Sequence, residues 1–344
     1  MVHFVQSATT MLTNLWLAIN TSLTNNRLSV NFQILPFALR RNYMAQAVSR
    51  RPSKAERNEW LLFALLVGPN LLLFAIFVYW PLIYNGYLSF VRWDLLAPVK
   101  IWVGLRNYNE LFTSAVFGRI VWNTVVFTVS SVLLTCLIGL GVALLLNLPL
   151  RGRNAVRSIV FSPVMLSGAA IGIVWIYIFD YRYGLIQSLI SPLGLQSPRW
   201  LLDTQWAMAA VIIVHVWKTL GYAVVIYLAG LQAIPRELYE AALVDGANGW
   251  ARFRNVTVPG LSPVIFFLVI TTVLNGFQSF DIIKVMTDGG PVDATKTLIY
   301  YLYQEGFVGF NAGRAGVAAV LLFVAMLAFT VVQMRTSERS VHYS

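Results

Sequence analysis

The sequence predicts an all-α membrane protein of six transmembrane helices, with both termini on the same side of the bilayer. Three observations carry that expectation. The 344 residues are 58% hydrophobic and only 11% charged, with a mean hydropathy of +0.68, whereas soluble domains carry about 25% charged residues. Six stretches reach the length of about 20 apolar residues that lets a helix cross the hydrocarbon region with every backbone group bonded internally. Lysines and arginines gather in alternate connections between those stretches. This composition excludes a water-soluble globular protein, and it excludes disorder of the whole chain, which requires low hydrophobicity.

The spans are expected at residues 61–84, 120–146, 156–179, 208–231, 263–283 and 315–334. Arg50, Arg51, Lys54 and Arg57 precede the first. Arg151, Arg153 and Arg157 separate the second from the third, Arg236, Arg252 and Arg254 the fourth from the fifth, and Arg335 and Arg339 follow the sixth. All four segments fall on one side, which the positive-inside rule makes the cytoplasm. The opposite loops mix Arg92, Lys100, Arg106, Arg182, Arg199, Lys284 and Lys296 with Asp94, Glu110, Asp203, Asp288 and Asp293. The formal net charge of +11 therefore reads as membrane orientation, and no nucleic-acid partner is expected.

Residues 1–58 form an N-terminal extension ahead of a six-span domain at 59–340. The first 43 residues hold no acidic side chain and no run long enough to span. They lack the layout of a signal peptide, and are expected to be disordered or to lie on the surface. Met44, followed by Arg50, Arg51 and Lys54, has the character of a natural start just before a first membrane helix.

Catalytic chemistry is missing. No phosphate-binding Gly-x-x-x-x-Gly-Lys-Ser/Thr loop and no Gly-x-Ser-x-Gly elbow occurs. His3, His215 and His342 are the only histidines and Cys136 the only cysteine, so neither a metal site nor a disulfide framework is expected. Gly168 and Gly172 make a Gly-x-x-x-Gly pair that permits close helix approach, read here as bundle packing.

The segment between the fourth and fifth spans, 235–259, is the most distinctive polar stretch. Pro235 suits a first helical turn, Glu237 and Glu240 favour the positive end of the dipole, and Leu238, Ala241, Ala242 and Asp245 follow at helical spacing. Gly246 is placed to stop that helix in a left-handed turn. A second short helix is expected at 250–256, closed by Pro259. Two short amphipathic helices around a glycine elbow form either a docking knob or an interfacial connector.

Inside the spans, polar side chains are costly and mark an interior path by default. His215, Lys218, Thr219 and Tyr222 share one face of the fourth span, and Asn275, Gln278 and Ser279 one face of the fifth. The other reading of both stripes is hydrogen bonding between helices.

Glu240-Ala241-Ala242, then Asp245-Gly246-Ala247, Phe253, Val256, Pro259 and Pro263, resembles the EAA loop of permease subunits in binding-protein-dependent ABC importers, particularly the carbohydrate-type family that includes the maltose-type subunits. Supporting matches run along the chain: Phe77-Val-Tyr-Trp-Pro81 with Ser89-Phe90, Val103-Gly-Leu-Arg-Asn-Tyr108, Asn123-Thr124, Leu231-Gln-Ala-Ile-Pro235, and Thr287-Asp-Gly-Gly-Pro291 with Tyr303 and Gly306-Phe307. They cover about residues 58 to 340; within the family the chain most resembles the glycerol-3-phosphate branch, whose motifs neighbouring sugar permeases largely share.

The resemblance implies that 235–259 is a coupling-helix pair seated on a separate ATPase, with Glu240, Ala241, Ala242, Asp245, Gly246, Arg252 and Phe253 as the coupling residues. It implies a second permease subunit, two copies of an ABC ATPase, an extracytoplasmic solute-binding protein and a bacterial inner-membrane location. ATP and magnesium would sit on the partner subunits, and this chain would bind no cofactor. In maltose-type relatives sugar contacts lie in the corresponding spans, and they carry over to His215, Lys218, Thr219, Tyr222, Gly276, Gln278 and Ser279. His215 and Lys218 replace an uncharged pattern. A cation there suits an anionic solute such as a phosphorylated polyol, unless Lys218 forms an inter-span ion pair with Asp281. The competing class is an ion-coupled carrier or channel, which would show two homologous halves and several buried carboxylates.

Overall fold

The computed structural model describes residues 54–337 except Ala97 and Leu150. The expectations for residues 1–53, including a start at Met44, lie outside the described residues. Within the described chain, α1 (Lys54–Phe74) is a 21-residue helix carrying Pro69 in its interior and belongs to the first of two units, which ends at Phe74.

The second unit opens with a π-turn at Ala75–Tyr79 and α2 (Trp80–Leu88). A two-residue antiparallel ribbon follows, β1 (Val91–Arg92) and β2 (Ile101–Trp102), with Val91 opposite Trp102. Then come α3 (Arg106–Phe112) and α4 (Phe117–Asn147), a 31-residue helix. The chain continues through α5 (Arg153–Phe161), a 3₁₀ turn at Ser162–Met165, α6 (Gly168–Ile178), α7 (Leu185–Ile190) and the 27-residue α8 (Ala207–Ala233). The loop between the fourth and fifth spans contributes α9 (Arg236–Val244), α10 (Gly249–Arg252), a π-turn at Phe253–Thr257 and α11 (Val258–Gly260). Last are α12 (Ser262–Phe277), α13 (Asp281–Met286), α14 (Leu298–Tyr303), a π-turn at Gln304–Val308 and α15 (Ala312–Ser337).

Among the described residues, four helical stretches are long and apolar enough to cross a membrane unaided: Leu61–Leu88, Phe117–Asn147, Ala207–Ala233 and Ala312–Arg335. Counting each of two bent pairs as one span, Arg153–Met165 with Gly168–Ile178 at 106° and Gly249–Gly260 with Ser262–Phe277 at 63°, raises the number to six. The sequence reading treats the third span as continuous over 156–179, and the structure corrects this. Pro163, buried in the 3₁₀ turn, has no amide to donate to a helical ladder, and Leu166 and Ser167 are extended before Gly168 restarts the helix. The fifth span, expected to run to residue 283, ends at Phe277; residues 278–280 break it before α13.

Between helices in a bilayer no water is displaced by packing, so close van der Waals contact at small residues does the holding. The contact of α4 with α8 follows that rule. A methyl on Gly139 would meet the Ala223 methyl at 3.0 Å, and Ala143, Ala223, Val224, Tyr227 and Leu228 form a buried seam there with Leu261 and Leu268. Gly221 lies against the Val160 carbonyl and the Phe161 backbone, and Gly230 against Leu261 and Val264. Gly168 and Gly172 seat α13 of the same chain, Gly172 against Val285 and Met286, which is the bundle-packing role.

On the side opposite the basic connections, polar contacts fix a cap. Asn107 Nδ2 donates to the Ser89 and Val91 carbonyls, 2.9 Å each. Glu110 receives Arg106 at 3.0 Å, Arg314 at 3.3 Å and Arg92 at 3.5 Å, and Arg106 foremost, with Arg314, holds its carboxyl below the ordinary value of 4.5. Asn123 donates to the Asp293 and Lys296 carbonyls, and Thr124 Oγ1 accepts from the Leu298 amide at 2.9 Å. The Thr287–Pro291 motif builds the loop they anchor, with Gly289 at φ +81° under the Tyr300 ring and a cis Gly290–Pro291 bond.

Candidate functional site

The loop between the fourth and fifth spans is a preformed knob whose shape is locally encoded. In α9 the Gly246 amide donates to Leu243 and the Ala247 amide to Ala242, with Gly246 at φ +77°. This is a Schellman stop, which satisfies the last carbonyls and is strained for any residue with a Cβ. Two residues on, Asn248 Oδ1 accepts from the Ala251 amide at 2.8 Å and caps α10. The elbow is therefore fixed by a stop and a start set back to back. Pro235 is the residue before α9 rather than part of its first turn.

Pro259 does not close the second helix, contrary to expectation. The π-turn at Phe253–Thr257 leads into Val258–Gly260, with Pro259 in its first turn where a missing amide costs nothing. The chain bends at Leu261 into α12.

Of the residues read as coupling positions, Glu240, Ala241, Asp245 and Gly246 are exposed, and Ala242, Arg252 and Phe253 are half-buried. Phe253 packs its ring on Trp250 with centroids 5.5 Å apart. Leu238, Leu243, Val244 and Trp250 are also exposed, Val244 at 88%. An apolar surface on an otherwise polar loop is unfavourable in water and marks a contact.

The polar stripes of the fourth and fifth spans do not share one environment. His215 is buried at 4% exposure, its ring edge-on to Phe127, and its Nδ1 lies 3.1 Å from Ser279 Oγ. Ser279 is buried too. Lys218 Nζ lies 3.3 Å from Asp281 Oδ2, so the lysine is neutralised across the helix break. Gly168 leaves the room for that pair, since a methyl there would overlap the Asp281 carboxylate. Thr219 Oγ1 donates to the His215 carbonyl and lies 3.3 Å from Thr135 Oγ1. Tyr222 is half-buried, whereas Asn275 and Gln278 are exposed. Gly276 is pressed on Thr128, which a methyl would meet at 3.2 Å.

A third stripe escaped the sequence reading. Thr128, Ser131 and Thr135 of α4 are buried, at i, i+3 and i+7, with Thr128 against Gly276 of α12 and Thr135 against Thr219 of α8. Their spacing is legible in the sequence, but Ser and Thr are common in spans and carry no charge to draw attention. Among the described residues no group of histidine, cysteine and carboxylates stands where it could hold a metal.

A bundle with two broken spans, a polar seam at the breaks and a rigid knob on one face is the architecture of a multi-pass transport subunit that works with other proteins. Residues 135–342 match the family described as binding-protein-dependent transport system inner membrane component, and the chain belongs to that family, as a permease subunit of sugar-type ABC importers. Its relatives include the sn-glycerol-3-phosphate transport system permease protein UgpA of Brucella abortus, 37% identical over 81% of this chain and 95% of the relative. The trehalose/maltose transport system permease protein MalF of Thermococcus litoralis is 36% identical over 82% of this chain and 96% of its own length. Among solved structures, a bacterial ABC transporter involved in import of the acidic polysaccharide alginate superposes with a TM-score of 0.74, at 26% identity over 84% of this chain and 99% of that one. The same kind of transporter is known in complex with an alginate-bound periplasmic protein, with a TM-score of 0.73 at 25% identity, over 84% of this chain and 98% of that one.

Proposed function

We propose that this chain lines half of the import path for a sugar or a polyol phosphate, glycerol 3-phosphate and glycerophosphodiesters foremost, and that its 235–259 knob seats on an ABC ATPase subunit. The observation that carries the coupling role is the knob itself: a rigid elbow presenting Leu238, Leu243, Val244 and Trp250 to solvent. A self-sufficient carrier has no use for such a surface. With the basic connections in the cytoplasm, this face meets the ATPases and both termini lie on the same side. Two ATPase copies, carrying ATP and magnesium, and a second permease complete the complex. ATP-driven closure then moves the knobs and switches the spans between inward and outward access.

In this reading Lys218, Thr219, Tyr222, Asn275 and Gln278 face the path, and His215 and Ser279 hold α8 to the break behind it. Because Asp281 neutralises Lys218, the lysine alone does not argue for an anion. Support for a glycerol phosphate comes from the UgpA relatives, at an identity that MalF nearly equals.

The test is ATP hydrolysis by the complex co-purified with this subunit, in lipid with its binding protein. Glycerol 3-phosphate and glycerophosphodiesters are compared with neutral disaccharides. Stimulation by the phosphorylated ligands is expected. Stimulation by disaccharides alone would discard the phosphate assignment and leave the importer intact.

A further inference from the structure

The knob touches the body of the protein through very little. Along α9 every residue is exposed except Tyr239 and Ala242, which are half-buried. Ala242 offers only a methyl. Tyr239 packs against the buried cluster of Leu231, Ile234 and Leu261, where the end of α8 meets the start of α12. Its hydroxyl lies 3.0 Å from Thr257 Oγ1. Thr257, 5% exposed, is the last residue of the π-turn, and four residues later the fully buried Leu261 marks the 63° bend into α12. Gly260 lies against Ile234, which a methyl there would meet at 3.0 Å.

A force applied to the exposed face of α9 therefore reaches α12 by two routes. One runs along the backbone around the Gly246 elbow. The other crosses directly from Tyr239 to Thr257 and closes the two arms of the loop into a ring. A single hydrogen bond is weak as a source of stability but fixes direction and distance, which packing of one half-buried ring does not.

We propose that Tyr239 and Thr257 are positioning residues for coupling: their bond makes α9 and α12 move as one body, so that displacement of the knob becomes displacement of the fifth span. The inference rests on the coupling role proposed above. Both residues act through the loop, without touching solute or nucleotide.

The test uses the complete complex in nanodiscs, with Cys136→Ser and spin labels at Glu237→Cys on α9 and Ile270→Cys on α12. The distance distribution between the labels is measured without nucleotide and after trapping with ATP and vanadate. The expected result is one narrow, unchanged distance in the otherwise native subunit. With Tyr239→Phe or Thr257→Val, which remove the bond and keep the shape, the distribution broadens or shifts on trapping. The double variant behaves like either single one, because both remove the same bond. An unchanged distribution in the variants, with ATPase bound as in the parent, would overturn the proposal. So would a distance that changes on trapping in the parent itself. Absence of any co-purifying ATPase would instead remove the coupling role on which the proposal rests.

Discussion

The straight spans and the broken ones are built by different rules. Helices α4 and α8 run 31 and 27 residues without interruption, and their contact is a mainly apolar seam around Gly139, Ala143, Ala223 and Tyr227, with one hydroxyl pair, Thr135 and Thr219. The broken spans divide into short pieces, 9 and 11 residues around the 3₁₀ turn and 16 and 6 around residues 278–280. At about 1.5 Å per residue, α6 alone covers about 16 Å, half of a bilayer's hydrocarbon core. A continuous helix satisfies its own backbone, whereas a break must be held by neighbours. Here α8 is that neighbour for both breaks, through Gly221 against the Val160 carbonyl, His215 to Ser279 and Lys218 to Asp281. The straight pair is thus the scaffold, and the broken pair, tethered by a few polar contacts, is the part suited to change shape.

The strongest way to break that comparison is at Gly221. Its neighbour is backbone that cannot rotate away, so Gly221→Val should cost about 3 kcal/mol or more and prevent recovery of a folded complex in detergent. Gly139→Ala, in the straight seam, meets only a methyl at 3.0 Å and should cost about 1 kcal/mol by thermal unfolding. Equal losses at the two sites would remove the distinction.

Next in size is the ion pair at the breaks. Lys218→Met removes the cation from Asp281 and leaves its carboxylate only the Ile282 amide, and because that side chain is 43% exposed the loss should be about 1–2 kcal/mol, below the value for a buried pair. The exchange variant, Lys218→Asp with Asp281→Lys, should recover most of the stability. Failure of the exchange to recover any of it would point to a solute-facing role for the lysine itself.

Smaller still is the acid sensitivity of the cap. Glu110 titrates below its ordinary value because Arg106 and Arg314 favour its charged form. A depressed carboxyl contributes stability that is fully present above the unfolded value and is lost as pH falls through the folded one. Melting curves should therefore be flat above about pH 4.5 with respect to this group and fall below it, and Glu110→Gln should flatten that acid limb. A limb unchanged in the variant would assign it to other carboxylates. The smallest effect is expected at Thr135→Val, where one interhelical bond is worth about 0.6 kcal/mol.

How much was legible follows the same division. The straight spans could be read from hydropathy because their continuity is local. The breaks could not: Pro163 and Gly168 are ordinary residues in membrane helices, and what holds the breaks open is tertiary, supplied by Gly221, Lys218 and His215 from another span. Gly246 announced itself as a helix stop because left-handed backbone is a local property of one residue. Pro259 misled, since a π-turn upstream let the chain accept it without ending. The stripe of Thr128, Ser131 and Thr135 was passed over because hydroxyls in spans usually bond their own backbone, as Thr124 does to Ile120.

The central claim is that the loop of residues 235–259 joins these spans to an ATPase, and Gly246 tests it most directly. Its φ of +77° has open space around it, so Gly246→Val strains the elbow by about 1–3 kcal/mol without a clash against the spans. Affinity purification of this subunit from its native membrane should retain an ABC ATPase, and the variant should lose it while the second permease stays bound. An ATPase held equally by both, or by neither, would contradict the account.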